Sequence, residues 1–258
     1  MIKVGFIGFG KMAMAIVEGW NTHDLREKID VYAYAPHQDK LQANAKKLQA
    51  FACPSASQVA EQVDVLILAC KPYQVESVLE EIRPVLLKQL VISLAAGIDF
   101  EKLSGWLPNV HHVSIMPNTA IAAGAGTVIV EEKNTMDDRE KEILHELFDS
   151  LALIQPVESS LFSIAGTISG CSPAFLGLYA EALADAGVKF GLNRQVAARL
   201  AAQAIYGAGA MLKEEGKEPS IFKNDICSPG GTTIRGIVSL EKDGFRKAVI
   251  EAIEAIEQ

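Results

Sequence analysis

The chain opens on a run of mostly apolar residues, Ile2 to Ile7, too short for a helix and closed by a glycine, which is the pattern of a buried strand. Asp30 to Tyr34, Val65 to Ala69, Leu90 to Leu94 and His112 to Ile115 repeat it. A helical period follows the first run through Trp20, another covers Asp39 to Leu48, and Gly124 to Val130, Asp137 to Leu151 and Ala152 to Gln155 read as strand, helix and last short strand. Buried strands alternating with helices predict a doubly wound, mostly parallel sheet. Beyond Pro156 no strand pattern appears and the chain turns helical and rich in alanine. Ser169-Gly170-Cys171-Ser172-Pro173 is expected to break one helix and start another that runs to Phe190, and Arg194 to Leu212 and Phe245 to Ile256 are further helices.

The first strand leads into Gly8-Phe9-Gly10-Lys11-Met12-Ala13 and a helix. In that setting the first glycine turns the strand, the second admits a pyrophosphate, and the small Ala13 lets helix and strand lie close, so a Rossmann-like dinucleotide-binding domain is expected. The second strand ends in Tyr34-Ala35-Pro36-His37-Gln38, without the acid that holds a ribose 2′-hydroxyl in NAD enzymes, and Asp30 lies at its wrong end. That favours NADPH, with His37, Gln38 and Lys40 as donors to a 2′-phosphate, and leaves NADH open. Ligands in open α/β sheets bind beyond the strands' carboxyl ends. The remaining cofactor-binding candidates are therefore Ala69, Cys70, Lys71 and Pro72, then Ala95, Ala96 and Gly97, then Met116, Pro117 and Asn118. Lys71 reads equally as a surface cation, and Asn118-Thr119 as a plain turn or cap. His111 and His112 read as packing residues.

The fold class is thus α/β: an N-terminal Rossmann-like doubly wound sheet in residues 1–156, followed by an all-helical domain in residues 157–258. Composition adds exclusions. With 258 residues, 49% hydrophobic and 22% charged, the chain can build two cores. No apolar run approaches the roughly 20 residues that span a bilayer, and Met1 to Val4 begins a strand, so no membrane segment or secretory signal and a cytoplasmic location are expected. The net charge of −8, without any Lys/Arg block, argues against nucleic acid. Cys53, Cys70, Cys171 and Cys227 are too scattered for a zinc site and read as reduced packing residues.

Ser228-Pro229-Gly230-Gly231-Thr232-Thr233-Ile234 ends a polar loop and opens an apolar-periodic segment. It reads as a helix N-terminus in which Thr232 or Thr233 caps, and its free N–H groups suit a carboxylate or phosphate. For Pro-Gly-Gly alone an ordinary turn and cap is the plainer reading. The preceding helices carry one polar stripe, Glu181, Asp185 and Lys189, and are otherwise too small-sided and apolar for a lone layer. A partner subunit is expected to bury them, against the competing account of a self-contained helical core.

Gly8-Phe9-Gly10-Lys11-Met12, Lys71-Pro72, Ala95-Ala96-Gly97, Met116-Pro117-Asn118-Thr119, Ser169-Gly170-Cys171-Ser172-Pro173-Ala174, Ala184-Asp185-Ala186-Gly187-Val188-Lys189 and the Ser228 to Ile234 segment together resemble the pyrroline-5-carboxylate reductase family, over essentially the whole chain. The resemblance implies NAD(P)H-dependent reduction of a cyclic imine, L-1-pyrroline-5-carboxylate, to L-proline. It implies a carboxylate held by backbone N–H groups of Gly231, Thr232 and Thr233 past Gly230, a Thr233 hydroxyl at the ring nitrogen, and Ser228 close by. It also implies a homodimer, with the site formed between the dinucleotide domain of one subunit and helices of the other, and in bacteria often a decamer built as a pentamer of dimers. Cys171-Ser172 departs from the family's usual Gly or Ser then Gly, and the Asn-Arg or Ser-Arg pair after the second strand is missing. Another imine reductase of the same architecture stays in view. A β-hydroxyacid enzyme would need a Lys that Ser169 to Ala180 lacks, and a catalytically silent NADPH-binding sensor has no need of a second anion receptor.

Overall fold

A computed structural model describes residues 1–257. The chain divides into two compact units, Met1–Gly170 and Cys171–Gln258. The first unit runs β1 (Ile2–Ile7), α1 (Lys11–Thr22), β2 (Ile29–Tyr34), α2 (Gln38–Leu48), β3 (Phe51–Ala52), α3 (Ala56–Gln62), β4 (Val65–Leu68), α4 (Val75–Ile82), β5 (Leu90–Ser93), α5 (Phe100–Trp106), β6 (His112–Pro117), β7 (Gly126–Glu131), α6 (Asp138–Phe148) and β8 (Ala152–Val157). One sheet holds all eight strands in the order β3-β2-β1-β4-β5-β6-β7-β8. Every neighbouring pair is parallel except β6 with β7.

Alternation of side chains along each strand builds a core on both faces. Val4 and Phe6 of β1 and Val65 and Ile67 of β4 join Trp20, Leu41, Leu147 and Phe148 beneath α1, α2 and α6. Ile7, Leu66 and Leu68 turn the other way, onto Val59, Leu79 and Leu103 of α3, α4 and α5. The fully buried Trp20 has its indole N–H satisfied by the Leu147 carbonyl at 2.8 Å, which ties α1 to the last turn of α6. His112 is a packing residue, its Nδ1 2.8 Å from the Val110 carbonyl and its Nε2 3.0 Å from Ser104 Oγ. His111, Asp137 and Glu140 converge at the start of α6, where the two carboxylates already form a reciprocal cap.

Three expectations need correction. The two-residue β3 was not anticipated, being too short for any periodicity to register. β6 continues through Met116 and Pro117, which pair with Ile129 and Val128. Most instructively, no helix breaks at Ser169 to Pro173. α7 runs Phe162–Lys189 with Pro173 inside it. A proline has no N–H, so the carbonyl four residues back, that of Ser169, loses its helical donor. Asn118 supplies the replacement, its Nδ2 donating to Ser169 O at 3.0 Å while its Oδ1 accepts from Thr127 N at 3.2 Å.

The second unit continues α7 and adds α8 (Arg194–Glu215), α9 (Pro219–Ile226), α10 (Thr232–Lys242) and α11 (Phe245–Glu257). Asn193 caps α8 by accepting from Gln195 N at 2.9 Å. Small residues set the spacing of α7 and α8, since a Cβ on Gly187 would stand 3.0 Å from that of Ala197. Among the described residues of this unit, the buried apolar ones are Ala184, Ala197 and Ala201, whereas Leu178, Tyr206 and Val238 are 69%, 69% and 59% exposed. Ser159–Lys189 is helical over 31 residues, with hydropathy 1.5 and 6% of its apolar window buried, long and apolar enough to span a membrane by length and composition alone. Alanine, glycine and single leucines raise the mean there without forming a contiguous apolar run.

If the Asn118 amide replaces the donor that Pro173 lacks, the two positions must be energetically coupled. Asn118→Ala should destabilise the protein by about 1–3 kcal/mol in urea unfolding. The cost should shrink by about 0.5–1.5 kcal/mol in a Pro173→Ala background, where residue 173 regains its N–H. Strict additivity of the two substitutions would refute the replacement.

Candidate active site

In the N-terminal unit the ladder places Ile7 opposite both Tyr34 and Leu68, Leu68 opposite Ser93, and Ser93 opposite Ser114. The carboxyl ends of β1, β2, β4 and β5 therefore form one row, beside Ser114 of β6, which continues to Pro117. The order of strand addition reverses between β1 and β4, so the crevice of a doubly wound sheet opens here. Gly8, Ala35, Ala69 and Leu94 are the first residues past the row. A cleft of ≈ 660 Å³ lined by Lys3, Asp64 and Leu90 lies at the amino ends, the edge that such folds do not use.

Gly8 sits at φ +95, and a Cβ there would meet the Ala69 carbonyl carbon and oxygen at 2.6 Å, while its N–H reaches Tyr34 O at 2.8 Å. Three backbones thus close on one residue. Phe9 is buried edge-on against Phe6, so only its main chain faces the crevice. Gly10 is the N-cap of α1 without a side-chain cap, no acid stands in the first turn, and a Cβ added to Gly10 would meet nothing within 4 Å. The open N–H groups of Lys11, Met12 and Ala13 suit a pyrophosphate, and Ala13, fully buried, lets α1 lie on the sheet. On these observations the residues fit a dinucleotide.

At the end of β2, Pro36 and His37 are exposed and Ala35 is half-buried, its carbonyl taken by Gln38 Nε2 at 3.1 Å. Asp30 pairs with Lys3 near the amino end of the strand. Asp39, an acid beyond the end of β2, lies in the first turn of α2. After β4, Ala69 and Cys70 are half-buried, Lys71 and Pro72 exposed, and burial pushes the Cys70 thiol up from its ordinary range, keeping it protonated and inert at neutral pH. After β5, Ala95 is buried while Ala96 and Gly97 are exposed. Met116, Pro117 and Asn118 belong with the strand pairing of β6 and β7 rather than with a loop; Met116 packs on Gly166, and the Asn118 amide is committed to Ser169 and Thr127. Two side chains that sequence gave no sign of, Ser114 and Glu131, hold the backbone of the segment after Gly97.

The other candidates lie in the C-terminal unit. Gly230 is at φ +69, and Gly231 caps α10 in extended conformation with no side-chain cap bond. Thr232 and Thr233 are the first helical residues, so neither threonine caps, contrary to expectation. Gly231 N donates to Ser228 O at 3.0 Å, closing the turn and leaving the N–H groups of Thr232 and Thr233 to the helix end. A Cβ on Gly231 would stand 2.5 Å from Ser228 Oγ. Ser228, Thr232 and Thr233 are exposed, and no acid occupies the first turn. Lys217, bound to Glu215 at 2.8 Å and Asp225 at 3.0 Å, has its pKa pushed up to about 12 by these partners and ties α9 to the end of α8.

Comparison with known proteins decides the family. The family model for pyrroline-5-carboxylate reductase dimerisation matches residues 159–258, and that for NADP oxidoreductase, coenzyme F420-dependent, matches residues 3–97. The pyrroline-5-carboxylate reductase of Treponema pallidum is 38% identical, covering 98% of both chains. The chain belongs to the pyrroline-5-carboxylate reductase family. Among solved structures, the pyrroline carboxylate reductase of Plasmodium falciparum with NADP bound superposes with a TM-score of 0.87 at 33% identity, over 98% of this chain and 95% of that one. A pyrroline-5-carboxylate reductase from Coxiella burnetii gives 0.86 at 31%, over the same shares. As a member of this reductase family, the chain is an NADP-dependent oxidoreductase of proline biosynthesis and forms a homo-oligomer through its C-terminal helices. The exposed apolar residues of α7 fall in the region that the dimerisation model matches.

The close packing at Gly8 makes it intolerant of any side chain. Gly8→Ala should lower the unfolding free energy by about 2–4 kcal/mol, combining steric overlap and backbone strain. A change below about 0.5 kcal/mol in denaturant titration would show that the junction relaxes freely.

Proposed function

We propose that this reductase binds NADPH along the carboxyl edge of its sheet and the carboxylate of L-1-pyrroline-5-carboxylate at the start of α10. The observation that carries the substrate half is the helix end itself. Its cap is a glycine, its first turn lacks an acid, and three hydroxyls, of Ser228, Thr232 and Thr233, stand around it. A side-chain cap would have consumed the N–H groups that an anion needs.

The cofactor residues are Gly8 to Met12 at the pyrophosphate, Ala35 to His37 at the adenosine ribose, and Ala69 to Pro72, Ala95 to Gly97 and Met116 to Asn118 toward the ring. When bound, NADPH supplies the hydride. Every other requirement falls on the chain. Thr232 and Thr233 N–H groups hold the carboxylate, with Gly230 and Gly231 shaping the turn. The Thr233 hydroxyl accepts from the iminium N–H, orients the ring nitrogen and, with Ser228, passes a proton. Because hydride transfer to a protonated C=N bond creates no oxyanion, a hydroxyl suffices and no strong acid is called for. The C-terminal helices contain no histidine. We place the functional boundary between the dinucleotide-binding domain, residues 1–156, and the substrate and dimerisation domain, residues 157–258. The assembly is a dimer that builds into a pentamer of dimers, cytoplasmic, without nucleic-acid or membrane partners.

The reading is tested by imine-dependent oxidation of NADPH, run beside NADH. Saturable oxidation with NADPH preferred is the expected outcome. Cofactor binding without turnover would instead favour a silent sensor. Thr233→Ala should reduce kcat by about a hundredfold and leave the Kd for NADPH unaltered. Gly231→Val, which drives a side chain into Ser228, should raise KM for the imine about 10- to 100-fold, the worth of one or two charge-assisted hydrogen bonds. An unchanged KM would remove the helix end from the site.

A further inference from the structure

Glu131 is 1% exposed at the end of β7, and its placement is costly. Its Oε2 accepts from the Phe100 N–H at 2.8 Å, but Oε1 is buried with no hydrogen-bond partner. A half-satisfied buried carboxylate destabilises a fold relative to an apolar side chain, so its presence calls for a reason other than stability. The bond it makes shows where to look. Phe100 is the first residue of α5, three positions beyond Gly97.

The segment from Leu94 to Phe100 is held at points on either side of its exposed tip. Leu94 N donates to Leu68 O at 2.9 Å and Ala95 N to Ser93 Oγ at 3.3 Å, so the near end is fixed to β4 and β5. On the far side the Ile98 carbonyl accepts from Ser114 Oγ at 2.7 Å, and Phe100 N from Glu131. Ala96 and Gly97, the latter at φ +73, stand exposed between these anchors. Both far anchors come from the antiparallel pair. Ile115 lies opposite Val130, so the residue before the one and the residue after the other, Ser114 and Glu131, are brought side by side under the loop.

The geometry points to Glu131 as a positioning residue for NADPH: by gripping the Phe100 N–H, with Ser114 on the Ile98 carbonyl, it fixes the height of the Ala95-Ala96-Gly97 backbone against the cofactor. This rests on the reading that the tip borders the cofactor. It gives the single antiparallel contact of the sheet a task, that of setting Glu131 beside Ser114 under the loop.

The test is steady-state kinetics of the full-length enzyme with NADPH and the imine, alongside thermal melting. Glu131→Ala should raise KM for NADPH about tenfold, with kcat and KM for the imine within about twofold. Glu131→Gln, whose amide oxygen accepts the same N–H, should recover KM for NADPH to within about threefold whatever it does to the melting temperature. Ser114→Ala, a milder change, should raise the same KM in the same direction and serves where Glu131→Ala does not fold. Unchanged KM for NADPH in Glu131→Ala or in Ser114→Ala, or a Glu131→Gln variant as impaired as Glu131→Ala, would overturn the assignment. Ala96→Leu tests the first step by itself, since Ala96 is exposed at the tip and is not at a positive φ. If it leaves NADPH binding intact, the tip does not border the cofactor. If it weakens NADPH binding while the anchor variants do not, only the positioning role fails.

Discussion

The N-terminal unit depends on a backbone junction at Gly8. There β1 ends, its N–H bonded to β2 through Tyr34, while the first peptide beyond β4 passes too close for any Cβ. The contact fixes the row of strand ends at the point where the strand order reverses, and the same turn delivers Gly10 and the open N-terminus of α1 to that row. A ligand face is therefore a by-product of close packing. Tight contact at one glycine and open space at the next, two residues on, explain why the pattern demands both positions for opposite reasons.

Much of this was legible from sequence because its causes are local. Apolar runs of four to six residues and the spacing of Gly8, Gly10 and Ala13 report strand, turn and helix within one short window. What escaped had causes far along the chain. Pro173 reads as a helix breaker by every local rule, yet the carbonyl it strands is satisfied by Asn118, 51 residues before Ser169. β3 is held by the pairing of Tyr32 with Phe51 and Ala33 with Ala52, which leaves no periodic trace in two residues. Glu131 looks like the polar end of an apolar strand, and only the antiparallel register puts it beneath a loop 31 residues earlier.

The C-terminal unit shows a different limit. Its segment Ser228 to Thr233 was readable as a helix start, but the sequence suggested a threonine cap where the structure has glycine. The difference matters chemically. A capping hydroxyl would occupy the N–H groups of the first turn, whereas a glycine cap leaves them available and places the threonine hydroxyls beside them rather than over them. The exposed leucines and tyrosine of α7 and α8 follow similar logic, since helices whose buried apolar residues are alanines bury too little on their own. Association through these helices is then a condition of stability.

The two units also divide the electrostatic work. At α1 and at α10 the first turn is free of acids and of side-chain caps, so each offers main-chain N–H groups to an anion, with Lys11 opening α1 and Arg235 Nε donating to the Gly231 carbonyl at 3.4 Å. Such receptors bind negative charge weakly compared with arginine but hold it in one geometry, and they cost little reorganisation because the donors are locked in a helix. A reaction whose hydride comes from a cofactor and whose acceptor arrives protonated needs alignment more than acid strength. Rigid main-chain donors, locked in a helix end, are suited to that demand. Side chains such as Ser114, Asn118 and Glu131 serve it indirectly, by holding backbone in place.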